Sequence, residues 1–411
     1  MERAGGYKLN FYKMNKRTIR DISLENKAVL LRVDYNVPLK KTNKGMVVGD
    51  KTRIDLSIDT IKFILKAKPK RLVIFSHLGD PGGQFNQGLS TKPVGDYLAE
   101  KLSKKIYFST DFIEPQEKDR IRAMEDGELI MLENVRFFKG EELNQASFAN
   151  KIASLGEVFV NDAFGSCHRA HASVVGVAKD MPVVAGLLLD KEIKMIGEAM
   201  SSPKKPLVVV LGGAKATTKI PVIERLMSAA DYVLLGGGVA NTFLKAFGYG
   251  VGRSIYSKEV LRISQNLIWR ATRTNTKLFL PSDLVVGELA SGYVGGVVKK
   301  EEIPTQWQAL DIGPETRKEY AKIIAQAGTI IWNGPVGACE KKEFAQGTWA
   351  VYRAIVENSG AVSVVGGGDT LASLNNRKDQ DKISHISTGG GAMLEFIEKG
   401  NLPGIEIIED K

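Results

Sequence analysis

The chain has 411 residues, more than one hydrophobic core usually holds, so two domains are expected. Its 43% hydrophobic and 25% charged residues suit a globular protein, and no apolar stretch approaches the roughly 18 residues needed to cross a bilayer. The net charge of +10 admits a nucleic-acid surface, an acidic membrane or a cleft for small anions, but the basic residues are scattered in clusters no longer than Lys68-Pro-Lys70-Arg71, which argues against nucleic acid.

Residues 1–20 are polar and basic, lack the apolar core of a signal peptide, and read as an arm or an early strand. Ala28–Val33 is the first expected strand, running into Arg32-Val-Asp34-Tyr-Asn36-Val-Pro38. Arg53 opens a helical pattern over Ile54–Ala67. The strand Leu72–Phe75 ends in Ser76-His77-Leu-Gly79, and Val94–Leu102 reads as a helix. Strands at Ile106–Phe108 and Leu129–Leu132 follow, the second ending in Glu133-Asn-Val-Arg136-Phe. Val158–Val160 leads into Asn161-Asp-Ala-Phe-Gly-Ser-Cys-His168-Arg169-Ala-His171. If these strands are parallel, their C-terminal ends share one side and the arginines converge, suiting a small polyanion. For any single arginine a surface ion pair is an even alternative. Three of the four histidines fall in these segments, without the spacing of a zinc site.

A boundary is expected at residues 186–206, where the amphipathic helix Leu187–Met200 meets the linker Ser201–Pro206. Beyond it, four strand-like runs end in glycines, which brings bare backbone N–H groups to a sheet edge and favours phosphate. Leu207–Leu211 meets Gly212-Gly-Ala-Lys215-Ala-Thr-Thr-Lys219, which is no Walker A sequence but places two lysines four apart, on one face of a helix continuing through Ile220–Ala229. Val233–Leu235 meets Gly236-Gly237-Gly238, where Asn241 replaces the third glycine of a dinucleotide fingerprint. Leu278–Leu280 and Ile330–Trp332 are further strands; the latter runs into Asn333-Gly-Pro335-Val-Gly337 and Glu340, an amide, a stiff turn and a carboxylate suited to a base and ribose. After a helix at Glu343–Glu357, Val362–Val365 meets Gly366-Gly367-Gly368-Asp369-Thr370, in which Asp369 is either a helix cap or a magnesium ligand beside phosphates. His385-Ile-Ser-Thr388 meets Gly389-Gly-Gly391, and periodicity leaves Leu402–Lys411 unplaced.

Strand–helix alternation predicts an α/β protein with doubly wound, Rossmann-like parallel sheets, two rather than one for this length. Two cysteines, Cys167 and Cys339, offer no disulfide framework and fit a reducing cytoplasm. The motifs Arg-Val-Asp-Tyr-Asn-Val-Pro, Ser-His-Leu-Gly, Glu-Asn-Val-Arg-Phe, Leu-Gly-Gly-Ala-Lys, Trp-Asn-Gly-Pro-Val-Gly and Gly-Gly-Gly-Asp-Thr, in this order from Ile19 to Pro403, resemble the phosphoglycerate kinase family.

That resemblance implies two domains joined by a helix with a hinge: a 3-phosphoglycerate-binding domain at 1–186, to which 396–411 return, and a nucleotide-binding domain at 187–395. It implies reversible phosphoryl transfer between 1,3-bisphosphoglycerate and magnesium ADP, in the cytoplasm, with no nucleic-acid or membrane partner. By it, Asp34, Asn36, Arg53, His77, Arg136 and Arg169 hold the glycerate. Lys219, Gly236, Gly237, Asn333, Glu340, Gly366, Gly367, Gly368, Asp369 and Thr370 serve the nucleotide, Asp369 through Mg2+. Arg53, Lys215 and Lys219 act on the transferring group. One departure stands out: Asp80 occupies the position where the family usually has a substrate-contacting arginine. A carboxylate acceptor is already ionised at neutral pH and needs no general base, which fits motifs rich in fixed cations and poor in acids and bases. A nicotinamide-dependent dehydrogenase would need the glycine fingerprint that is missing; a non-catalytic nucleotide-binding module would not need motifs in both halves.

Overall fold

Apolar runs such as Leu-Val-Val-Val-Leu at Leu207–Leu211 are buried along their whole length, as strands covered on both faces must be. The computed structural model describes residues 14–43, 45–374 and 378–411. Its contacts divide the chain inside the helix Leu187–Ser201, giving a first unit of Met14–Lys194 with Asn401–Lys411 and a second of Met195–Gly400.

The first unit contains β1 (Ala28–Val33), β2 (Leu39–Thr42), β3 (Gly45–Val48), β4 (Arg71–Phe75), β5 (Ile106–Ser109), β6 (Glu128–Leu132), β7 (Val158–Asp162) and β8 (Val183–Ala185). Six of these form a parallel sheet in the order β5-β6-β4-β1-β7-β8, and β2 and β3 pair as a separate hairpin. Helices such as Thr52–Lys66 cover it: Ile54, Ile58, Ile61 and Ile64, spaced three and four apart, pack with Val29, Leu31, Leu72 and Ile74. Each such side chain contributes about 1.5–3 kcal/mol of burial. Against that background Arg32, next to the end of β1 and 1% exposed, is conspicuous.

The arm or early strand expected over residues 1–20 lies outside the described residues up to 13; after it, Lys16 bridges Asp410 and Thr18 bridges Ala185. The segment that periodicity left unplaced packs here. Gly404 N donates to Cys167 O at 2.9 Å, Asn161 Nδ2 donates to Gly404 O at 2.8 Å, and Lys16 Nζ lies 3.0 Å from Asp410.

The second unit contains β9 (Leu207–Leu211), β10 (Tyr232–Leu235), β11 (Lys277–Phe279), β12 (Asp283–Glu288), β13 (Tyr293–Lys299), β14 (Gln308–Ile312), β15 (Thr329–Asn333), β16 (Val362–Gly366) and β17 (His385–Ser387). Its parallel sheet runs β11-β10-β9-β15-β16-β17 around a core including Val208, Val210, Ile330, Trp332 and Val365. The antiparallel sheet β13-β12-β14 was not anticipated. Its outer strand reads Tyr-Val-Gly-Gly-Val-Val-Lys and is mostly exposed, so it lacks the continuous burial that marks the other strands. No helix among the described residues is long and apolar enough to cross a membrane.

Candidate active site

In a parallel sheet every strand delivers its following loop to the same edge. β1, β4, β6 and β7 therefore bring Asp34, His77, Arg136 and Arg169 to one side of the first unit. Arg53, second residue of the helix Thr52–Lys66, donates from NH1 to Asp34 Oδ1 at 2.7 Å. Asp34 also accepts from Asn36 N (3.2 Å) and Ser166 Oγ (3.3 Å), and Asn36 Oδ1 accepts from Gly79 N at 2.9 Å. Burial pushes the Asp34 carboxyl up, but the cations around it, Arg53 foremost, hold it well below the usual carboxylate range.

The cations crowd one another. Burial and then Arg169 disfavour the charge on Arg136, while Glu142 and Asp80 favour it. Burial pushes His77 well down, Asp34 opposes, and Arg32, Arg136 and Arg53 add to the fall. His171 falls to about 4 through burial and then through Arg136 and Arg169. Arg136 donates from NH1 to Gly79 O at 2.8 Å, whereas its buried Nε has no hydrogen-bond acceptor among the described residues; Glu142 Oε1 lies 3.5 Å away. Arg169 is exposed and donates to His168 Nε2 at 3.2 Å. Asp80 is exposed beside this cluster and draws on Arg136.

In the second unit the glycine runs make a cavity of about 530 Å³, lined by Gly213, Ala214, Gly237, Gly238 and Asn241, by Leu289 and Gln308–Leu310, and by Gly337–Glu340 and Asp369. Its walls come together through close backbone contacts. Gly213 N donates to Pro335 O at 2.8 Å and Gly237 N to Val336 O at 2.9 Å. A Cβ on Gly236 would lie 2.3 Å from the Val336 Cβ, so only glycine fits there. Gly213 (φ +98°) turns the chain in the left-handed region that favours glycine.

The two lysines do not share a helical face. The helix begins only at Ile220, with Pro221 in its first turn, and residues 212–219 form a turn before it. Lys215 is exposed on that turn, whereas Lys219 is partly buried and donates from Nζ to Asn333 Oδ1. Burial lowers the Lys219 amino group to about 8, Asp369 pulling the other way.

Asp369 lies inside the first turn of the helix Gly368–Leu374, exposed, and makes no hydrogen bond among the described residues, so it does not cap that helix. Thr370 is buried; its hydroxyl accepts from Gly334 N at 2.7 Å and donates to Gly366 O at 3.0 Å. Glu340 lines the cavity, while Gly236, Gly366, Gly367 and Gly368, at strand ends and helix starts, are not in its wall. Leu289, Gln308, Ala309 and Leu310 were missed with their antiparallel sheet; the turn residues Ser291-Gly292 between two β-branched runs were the available signal.

The chain matches the family described as "Phosphoglycerate kinase" over residues 19–400. It is 44% identical over 399 residues to a "Phosphoglycerate kinase" of Moorella thermoacetica and 43% identical to one of Pelotomaculum thermopropionicum, each match covering 97% of this chain and the whole of the relative. Among solved structures, phosphoglycerate kinase from Coxiella burnetii superposes with a TM-score of 0.83 at 40% identity, covering 95% of this chain and 98% of the other. The enzyme from Pyrococcus horikoshii gives 0.83 at 31% identity with the same coverage. With these likenesses spanning both sheets and both clusters, the chain belongs to the phosphoglycerate kinase family, glycolytic phosphotransferases that pass a phosphoryl group between 1,3-bisphosphoglycerate and ADP with a carboxyl group as acceptor.

Proposed function

We propose that the two substrates of this reaction divide between the two units, 3-phosphoglycerate at the arginine cluster of the first and MgADP or MgATP in the glycine-walled cavity of the second. The observation that carries this reading is the crowding of cations on the first sheet edge: after burial, Arg169 disfavours the charge on Arg136, and the buried Arg136 Nε lacks an acceptor among the described residues. An unmet buried donor costs about 1–3 kcal/mol, which a phosphate oxygen would offset. His77, Asn36, Arg136 and Arg169 bind the glycerate and its phosphate, and Asp34 orients Arg53 through their 2.7 Å ion pair.

In the second unit the backbone around Gly213 and Gly237 supports the phosphates, and Glu340 at the cavity edge suits ribose hydroxyls. Gly366, Gly367, Gly368, Asn333 and Thr370 shape the turns that present Asp369 and Lys219. Asp369 suits Mg2+, which takes one or two carboxylates plus substrate phosphates and supplies charge stabilisation to the transferring group. No group of three His, Cys, Asp or Glu side chains among the described residues forms a cage of its own. Lys215, Lys219 and Arg53 stabilise the charge spread over the phosphoryl oxygens in flight, where one donor is typically worth about 3 kcal/mol. No general base is assigned, because the acceptor carboxylate is already ionised. Both thiols are free, and we infer a reducing cytoplasm as the working compartment.

Calorimetry tests the division. Arg136→Ala should weaken 3-phosphoglycerate binding at least tenfold and leave MgADP binding within about twofold, and Glu340→Ala should do the reverse. Loss of both ligands in either variant, with folding intact, would sink the assignment.

A further inference from the structure

Arg32 stands in β1 between Leu31 and Val33, all three buried. A guanidinium in such a place must be neutralised and hydrogen-bonded. Its Nε donates to Ser173 Oγ at 3.0 Å and its NH1 to the Val33 carbonyl. Ser173 in turn donates to the buried Glu141 carboxylate from its backbone N–H at 2.8 Å and its hydroxyl at 2.5 Å. The remaining nitrogen, NH2, lies 3.2 Å from His77 Nδ1. Guanidinium nitrogens are donors only, so Nδ1 must be the acceptor, and the one proton of a neutral imidazole sits on Nε2. The His77 ring makes no other hydrogen bond among the described residues; its backbone carbonyl accepts from Ser76 Oγ at 3.0 Å.

We infer that Arg32 is a positioning residue for the phosphoryl-transfer reaction: it fixes His77 as a neutral imidazole protonated on Nε2, so that His77 donates a hydrogen bond to the glycerate substrate instead of titrating beside it. The inference rests on assigning the first unit's cluster to the glycerate. A free imidazole would exchange tautomers and for part of the time turn a lone pair toward an anion. An imidazolium would join the cations already crowded there and make substrate binding follow pH. Of the charged groups facing His77, only Asp34 favours the imidazolium, while Arg32, Arg53 and Arg136 oppose it.

Nitrogen-15 correlation spectra of the histidine side chains, assigned with His77→Gln, read the tautomer directly. In the wild-type protein His77 should show a lone-pair nitrogen at Nδ1 and an N–H at Nε2 at every pH from about 5.5 to 8, where an ordinary histidine titrates. Removing Arg32 alone strands the Glu141 carboxylate, so the disruptive variant is Arg32→Met with Glu141→Gln, its folding checked by near-ultraviolet circular dichroism. In it His77 should exchange tautomers and its affinity for a second proton should rise, although burial, Arg136 and Arg53 still oppose the charge. Dividing its KM for 3-phosphoglycerate by the wild-type value at each pH cancels the substrate's own titration. That ratio should be about tenfold at pH 8 and should narrow as pH falls toward 5.5, with kcat moved less than about threefold. Arg32→Lys keeps a donor and should restore the single tautomer. A wild-type proton on Nδ1, an ordinary His77 titration, or a double variant with unchanged tautomer and a flat KM ratio each overturn the proposal. If the tautomer is as stated but saturating 3-phosphoglycerate leaves the His77 signals unmoved, the glycerate assignment has failed, taking the donor role with it but not the lock.

Discussion

Arg53, Arg136 and Arg169 bring fixed positive charge to the sheet edge of the first unit, whereas the cavity of the second is walled by Gly213, Gly237 and Gly238. The first site is built from long side chains anchored by buried partners: Asp34 under Arg53, the Gly79 carbonyl under Arg136, Glu141 and Ser173 under Arg32. The second is built from main chain brought close by residues that lack side chains. The contrast teaches that two anions can be recognised by opposite economies of structure. A charge-built site fails when a charge is removed and tolerates small changes of shape; a backbone-built site fails when a single methyl group is added.

The sharpest break in the comparison is Arg53→Ala. It should lower kcat/KM by about 10²–10³, or 2.7–4 kcal/mol, with MgADP affinity nearly unchanged. Steady-state kinetics that stay within about threefold of wild type would remove Arg53 from the reaction. The matching change in the second unit is Gly236→Ala, whose Cβ would press on Val336 at 2.3 Å. Overpacking of this kind costs about 1–3 kcal/mol, so nucleotide affinity and Tm should fall together. Gly250→Ala meets nothing within 4 Å and is the control that should leave both alone.

Lys219 sharpens the comparison through pH. Its amino group is held at about 8, against 10.5 for a free lysine, because burial penalises the charge. If the charged form is needed, kcat/KM should decline as pH rises through about 8, and Lys219→Arg, which does not deprotonate, should flatten that limb. The stability effect has the opposite sign. Between about 8 and 10.5 the unfolded chain binds the extra proton, so the penalty of burying the charge fades as pH rises through that window. An alkaline limb identical in wild type and Lys219→Arg excludes the role.

Asp369→Asn should raise the magnesium and nucleotide requirements together, by about tenfold, without lowering Tm, since the side chain caps nothing. The smallest expected effect belongs to Asp80→Arg. Removing a carboxylate that draws on Arg136 and adding a cation should lower the KM for 3-phosphoglycerate a few-fold, most clearly at low salt. No change at any ionic strength makes Asp80 a bystander.

How much of this was legible beforehand follows the same divide. Strands buried on both faces, such as Ala28–Val33 and Leu207–Leu211, announce themselves as unbroken apolar runs, and the glycines at their ends mark the turns of the second site. The hairpin Leu39–Thr42 with Gly45–Val48 and the sheet containing Tyr293–Lys299 are exposed and polar or glycine-rich, so no run of buried residues betrays them. The expectation that Lys215 and Lys219 share a helical face failed because a proline two residues past Lys219 marks the true helix start. Arg32 was visible as a residue but not as a participant. Its significance lies in contacts to Ser173 and His77, 141 and 45 residues away in sequence, which no local pattern encodes.

The first unit also carries a lesson about synthesis. Its sheet is complete by Ala185, yet Gly404 is wedged against Cys167, and Lys16 and Arg17 wait for Asp410 and Glu409. Everything in the second unit, Met195–Gly400, is synthesised before those partners. The half made first is therefore the half finished last, and a released chain that ends at residue 400 should hold a protease-resistant second unit and a first unit still open at its seam.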